Sequence, residues 1–308
     1  MKVLYLSTPE FGVQPLEALI ASRHEVVGVV TQPDRPSGRG KKLNASPVKL
    51  KAQELGLKVY QFDRIRNETE VLRGLGADCF LTAAYGQILS QEVLDIPRYG
   101  VINIHASLLP KYRGSAPVPR AIENGDEVIG VTFMRTALKV DSGDMIRKIS
   151  ARFTEENSEE VLSSLSAMAA EEVADVLTSI EDGTAVYQPQ TESEATWQPM
   201  IKKEDGAIDF SFTQKKLVDF VRAMNPWPSA YFTSKYGRIK VIRAQVSDLT
   251  PTGEVGTVVS ADKRGLFVNV SDGVVRLSVV QAEGGKAMPD TAFLAGRKFF
   301  EGEKLIGE

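Results

Sequence analysis

The stretch Gly100–Arg120, GVINIHASLLPKYRGSAPVPR, holds the residues of this chain best suited to chemistry. An apolar run ends there in Asn103-Ile-His105. Side chains alternate along a strand with period two, so Asn103 and His105 share one face. An Asn amide can donate to an oxygen that gains negative charge, and an imidazole can do the same or carry a proton. The same two residues also fit a bland reading, in which Asn103 caps a turn and His105 packs beneath it. Further on, Asp141 opens Asp-Ser-Gly-Asp144. A carboxylate beside a histidine favours the charged imidazolium and can order a water or take a proton. A plain Asp-Ser-Gly turn fits those residues as well.

The elements around these residues form a pattern. Val3–Leu6 is a short apolar run, Phe11, Leu16, Leu19 and Ile20 recur at helical spacing, and Glu25–Val30 is β-branched. Strand, helix, strand in that order predicts a parallel sheet. Lys58–Tyr60, Asp78–Ala83, Gly100–His105 and Val131–Met134 read as further strands, and Leu162–Ile180 as a long closing helix. In an open α/β sheet, ligands bind beyond the carboxyl ends of the strands, where Asn103 and His105 stand. Around residues 186–206 the chain turns polar and loses periodicity, which reads as a linker. After a helix over Lys215–Met224 come NPWPS and short strands between Gly, Asp and Asn turns, the pattern of a small β-barrel or sandwich.

Composition narrows the class. With 308 residues, 43% apolar and 25% charged, the chain can build a core and holds two domains comfortably. No apolar run approaches the ~18 residues of a membrane helix, and the N-terminus lacks a cleavage-site pattern. One cysteine, Cys79, excludes an internal disulfide or a cysteine zinc cage, and two histidines, His24 and His105, are too few for a histidine-rich metal site. Cys79 lies in an apolar strand and is expected to be an inert buried thiol, and His24 is expected to end the first helix. A cytoplasmic α/β protein without a metal follows as the expectation.

The net charge of −3 conceals an asymmetry. Residues 201–308 carry 16 Lys and Arg against 13 Asp and Glu. Asp34–Lys51 carries Arg35, Arg39, Lys41, Lys42, Lys49 and Lys51 against Asp34 alone. A basic loop with Gly38 and Gly40 can meet phosphates and order on binding, or be merely solvated. GRGKK lacks the spacing of a phosphate-cradling P-loop, and no GxGxxG follows the first strand. In the tail, Arg238 and Lys240 share one strand face that could follow a nucleic-acid backbone or face water.

Asn103-Ile-His105, then Ser107-Leu-Leu-Pro110-x-x-Arg113-Gly114, with Asp141 further on, resembles the signature of the 10-formyltetrahydrofolate-dependent formyltransferases. The loop Thr31–Lys42 with Ser46-Pro-Val-Lys49, the tail motif Asn225-Pro-Trp-Pro228 and the two-part plan are similar to the branch of that family that acts on methionyl-tRNA. The resemblance implies a Rossmann-like formyltransferase domain with a mostly parallel sheet over residues 1–187. It implies a linker over 188–206 and a β-barrel (OB-like) tRNA-binding domain over 207–308. It implies Asn103, His105 and Asp141 as the catalytic set, with Ser107, Leu108, Leu109 and Pro110 along the folate. The strand-end position adds Tyr85, Gly86 and Ile88 to the folate site. Arg39, Lys41, Lys42, Arg238 and Lys240 are the expected tRNA contacts. The cosubstrate is 10-formyltetrahydrofolate, the acceptor is methionyl initiator tRNA, and the expected assembly is a monomer. An acceptor amine of another kind, such as an amino sugar nucleotide, is the alternative; a folate- or RNA-binding module without catalysis is a third reading. One departure stands out: the family's acidic residue and glycine before the catalytic Asp are replaced in Arg135–Val140.

Overall fold

A computed structural model describes residues 1–37 and 42–306, so Arg39, Lys41 and the side chain of Lys42 lie outside the described residues. Val3–Leu6 have no solvent exposure, as expected of a strand covered on both faces. They form the centre of β1 (Lys2–Ser7). Around it lie β2 (Glu25–Thr31), β3 (Val59–Gln61), β4 (Cys79–Ala83), β5 (Val101–His105), β6 (Val128–Arg135) and β7 (Met145–Arg152). The sheet order is β7-β6-β5-β4-β1-β2-β3. Neighbours from β3 through to β5 are parallel, and β6 runs antiparallel to β5. The sequence pattern predicts all of these strands but β7. That strand sits at the sheet edge and carries Arg147, Lys148 and Arg152, which suit an edge but erase the apolar signal.

The chain winds from β1 to β3 on one side, then crosses back to β4 on the other. The sheet therefore has a switch point at β1, and the loops after β1, β2 and β4 diverge there. The helix Ser158–Glu181 buries Leu165, Ala169, Val173, Val176 and Leu177, an apolar stripe at three- and four-residue spacing. Burial pushes the Cys79 thiol up to about 12, so it stays protonated and inert at neutral pH.

His24 does not end the first helix, which runs Val13–Ile20. Its ring is buried, with Nε2 3.3 Å from the Ala174 carbonyl and 3.2 Å from Thr178 Oγ1. Burial holds the imidazole below the ordinary histidine value. The unfolded chain therefore takes up this proton first as pH falls. The stability contributed by neutral His24 is present above the unfolded value of about 6.5 and is lost as pH drops below it. Unfolding midpoints measured between pH 7 and 5.5 should fall in the parent chain and change less in H24Q.

The chain divides into two compact units, Met1–Gly114, Val128–Ala151 and Leu162–Gln198 in one, Ser115–Glu127, Arg152–Val161 and Pro199–Glu308 in the other. In the second, Thr213 caps the helix Gln214–Met224 by accepting from Lys216 N. Lys216 Nζ reaches the Glu123 carbonyl at 2.5 Å, so this helix packs on Pro117–Glu123 of the same unit. β8 (Ala230–Ser234), β9 (Gly237–Ser247), β10 (Val258–Asp262), β11 (Gly265–Val270) and β12 (Gly273–Ala282) form an antiparallel sheet in the order β8-β9-β12-β11-β10. Residues 303–306 bridge its two edges. Thr233 N donates to the Ile306 carbonyl at 2.7 Å, and Val258 N donates to the Glu303 carbonyl at 2.9 Å. Edge closure of this kind makes a barrel rather than an open sheet.

Candidate active site

β5 carries Asn103 and His105 on one face, with Ile102 and Ile104 on the other packed into the sheet. Thr82 of the adjacent β4 donates its hydroxyl to Asn103 Oδ1 at 2.8 Å. With the amide oxygen engaged, the Nδ2 hydrogens are the arm left for a partner. His105 is 6% exposed, and its Nε2 lies 2.9 Å from the Tyr112 carbonyl. A carbonyl only accepts, so Nε2 carries a proton and donates it. Nδ1 then faces Asp141, whose Oδ1 is 3.7 Å away. That gap is wider than a hydrogen bond but within ion-pair reach. A proton on Nδ1 is therefore not fully committed to Asp141.

Asp141 itself is held from behind. Its Oδ2 accepts from Gly114 N at 2.9 Å, and its backbone is left-handed, with φ of 51°. Asp is among the few residues that take this conformation at low cost. Gly143, two residues on, is required by close approach: a Cβ there would lie 1.8 Å from the Arg135 carbonyl oxygen. The turn Asp141–Asp144 is therefore tightly packed.

The structure brings Asn103, His105 and Asp141 into one half-buried group. The SLLP loop follows directly from β5. Thr132 of β6 pins it, donating to the Ser107 carbonyl at 2.6 Å and accepting from Leu109 N at 3.1 Å. Ser107 Oγ closes the loop on the Lys111 carbonyl, and Leu109 packs against Met134 and Met145. Ser107, Leu109 and Pro110 are buried, and Leu108 is the half-exposed member. Tyr85 points its ring into the core formed by Leu4, Leu6, Val30 and Phe80, and burial raises its phenol. What it offers outward is backbone, with its carbonyl accepting from Thr8 Oγ1 at 3.0 Å. Gly86 has φ of 89°, and Ile88 is 76% exposed.

Tyr85, Gly86 and Ile88 line a cleft of about 960 Å³ at the switch point, together with Thr8, Gln32, Arg35, Arg64 and Arg66. Arg64 and Arg66 were not singled out from the sequence, because scattered loop residues converge only through the topology. Asp34 stands at the base of the basic loop. Lys49 Nζ bonds it at 2.5 Å and Gln61 Nε2 at 2.8 Å, and these two partners hold its carboxyl below the usual range. In the second unit, Arg238 and Lys240 are exposed on one face of β9, with Ile239 buried between them. The Arg238 guanidinium stacks 3.9 Å from the centre of the Tyr231 ring. Among the described residues, no group of His, Cys, Asp and Glu is arranged to hold a metal ion, and no helix is long and apolar enough to cross a membrane.

Residues 1–176 match the family described as Formyl transferase, and residues 200–298 match Formyl transferase, C-terminal domain. A methionyl-tRNA formyltransferase of Agathobacter rectalis is 44% identical over 305 residues, covering 98% of each chain. One of Alkaliphilus metalliredigens is 39% identical over 311 residues, covering 100% of this chain and 99% of its own. Among solved structures, HypX from Aquifex aeolicus in complex with tetrahydrofolic acid has the same fold at 19% identity. Its TM-score is 0.65, over 96% of this chain and 47% of that one.

Proposed function

Because the chain belongs to the formyltransferase family over nearly its whole length, we propose that it moves a formyl group from 10-formyltetrahydrofolate to the α-amino group of methionine on initiator tRNA, for translation initiation. The observation that carries this reading is the match, end to end, to methionyl-tRNA formyltransferases at 39–44% identity. The folate cosubstrate supplies the formyl carbon on its N10. The residues present suit it: an exposed Ile88 beside the backbone of Tyr85 and Gly86 offers a ledge for a flat ring, and Leu108 is the half-exposed apolar side chain of the SLLP loop. We assign the folate to Ser107–Pro110 by resemblance to the family, and to Tyr85, Gly86 and Ile88 by their position at a strand end in this cleft.

The chemistry follows from the site. Asn103 Nδ2 and His105 Nδ1 donate to the formyl oxygen as the amine nitrogen bonds to the formyl carbon and negative charge develops there. Each such donor is worth roughly 2.7–4 kcal/mol in a dry, preorganised site. Asp141 faces His105 and takes the proton that the amine loses, directly or through one water. That proton goes to N10 as the carbon–N10 bond breaks. No side chain bonds covalently to the formyl carbon at any step.

Arg39, Lys41 and Lys42 of the basic loop and Arg238 and Lys240 of the barrel are the proposed tRNA contacts. Phosphate contacts of this kind place the tRNA rather than read its sequence. Initiator tRNA is a cytoplasmic substrate, and the enzyme works there. One assay tests the reading. The protein and 10-formyltetrahydrofolate are mixed with Met-charged initiator or elongator tRNA, and formylmethionine is read by mass spectrometry. Formylation of the initiator alone is expected. Failure on both tRNAs, with the folate still bound, would move the acceptor to another amine.

A further inference from the structure

The polar segment 188–198 has no periodicity, yet it is bound at both sides of the catalytic group. Its Trp197–Gln198 pairs with Arg113–Gly114 as a two-residue parallel ladder. Thr196 accepts at Oγ1 from Tyr112 N at 2.8 Å and at its carbonyl from Arg113 N at 2.9 Å. Tyr112 is the residue whose carbonyl anchors His105. On the other side, Gln190 Nε2 donates to the carbonyls of Asp141 at 2.9 Å and Gly143 at 2.8 Å. Its Oε1 accepts from Arg113 Nε at 3.0 Å and Nη2 at 2.9 Å. Arg113 is 1% exposed, and its Nη1 pairs with Glu192 at 2.9 Å.

The orientation of the Gln190 amide is determined by these partners. A guanidinium only donates, so the oxygen must face Arg113 and the nitrogen must face the two carbonyls. Those carbonyls flank Ser142 in the turn that holds Asp141 left-handed. Asp takes this conformation at low cost, but its placement is set by the contacts around it. Gly114 N holds one end of the Asp141 carboxylate, and Gln190 holds the peptide that carries it.

We infer that Gln190 is a positioning residue for formyl transfer: its amide, seated on buried Arg113, clamps the Asp141 turn and so sets the Asp141–His105 separation. The inference rests on the reading of Asp141 as catalytic. Partners that orient reacting groups one step removed have effects on the order of 10–100-fold when lost.

Q190E separates this role from simple anchorage. A carboxylate keeps and strengthens the contact to Arg113, but it has no donor for the Asp141 and Gly143 carbonyls and repels them. If Gln190 served only to satisfy Arg113, Q190E would turn over normally. The expected result is a kcat lower by about 10–100-fold, with KM for folate and for tRNA within about twofold. Q190M keeps the volume, lacks both polar arms and should lose kcat to a similar extent. D141N and the double variant Q190E/D141N complete the set. Because Gln190 acts through Asp141, the double variant should be no slower than D141N alone. Full turnover in Q190E beside an impaired D141N would overturn the positioning role alone. Full turnover in D141N would overturn the catalytic reading beneath it.

Discussion

Replacing His105 by alanine is expected to lower kcat by roughly two to three orders of magnitude, the range for losing one donor to a developing oxyanion. Affinity for the folate should change little. The imidazole is almost wholly buried, and one nitrogen is spent on the Tyr112 carbonyl, so the ring contributes little surface to ground-state binding. Its value lies in Nδ1, which can donate when the formyl oxygen gains charge. Interactions made only at that stage appear in kcat rather than KM. The variant removes the bond that His105 gives the Tyr112 carbonyl, at a cost of about 1–3 kcal/mol. Turnover should therefore be compared well below the unfolding midpoint of the variant. Steady-state kinetics and folate binding by fluorescence suffice, and near-normal turnover would sink the assignment.

The parts of this molecule that were legible in the sequence share a physical cause. β1, β4 and β5 are largely buried on both faces, so each reads as a mostly apolar run. Asn103 and His105 stand out because they interrupt such a run at its carboxyl end. The segment 188–198 was not legible in the same way. It works through Gln190 and Thr196, single side chains that bond to backbone across 49 and 84 residues of chain, and such pairs leave no period. Thr82 and Thr132 are hidden for the opposite reason, since a threonine in a β-strand is ordinary. Each becomes meaningful only when the neighbouring strand is placed.

The unusual stretch Arg135–Val140 yields to the same reasoning. Leu138, Lys139 and Val140 are exposed, and Thr136 N ties the stretch to the Val101 carbonyl at 2.7 Å. The demands that locate Asp141 fall on Gly143 against the Arg135 carbonyl, on Gly114 N and on Gln190. All three partners are present. Leu138, Lys139 and Val140 thus face solvent, and the turn they lead into is held by these other contacts.

Asp141→Asn should be the most informative single change. Asparagine has the same shape and is at ease in the left-handed conformation that this position requires. Its Oδ1 can keep the bond from Gly114 N. The unfolding midpoint should accordingly stay close to that of the parent chain, whereas Asp141→Ala loses both the bond and the conformational preference and should lower it. What Asn changes is the atom facing His105. In place of an oxygen that accepts, Nδ2 presents a donor to Nδ1. With Nε2 already donating to Tyr112, the ring is then favoured in the form that has no proton on Nδ1. The donor to the formyl oxygen and the acceptor for the amine proton disappear together. The combined effect is a fall in kcat of roughly 10³-fold or more. His105→Ala removes the same donor by another route, so the two losses overlap. In the H105A/D141N double variant, kcat should be close to that of the slower single variant, the behaviour of residues that act as one unit. Losses that simply multiplied would mean that Asp141 and His105 serve the reaction separately, and the coupling across their 3.7 Å gap would have to be abandoned.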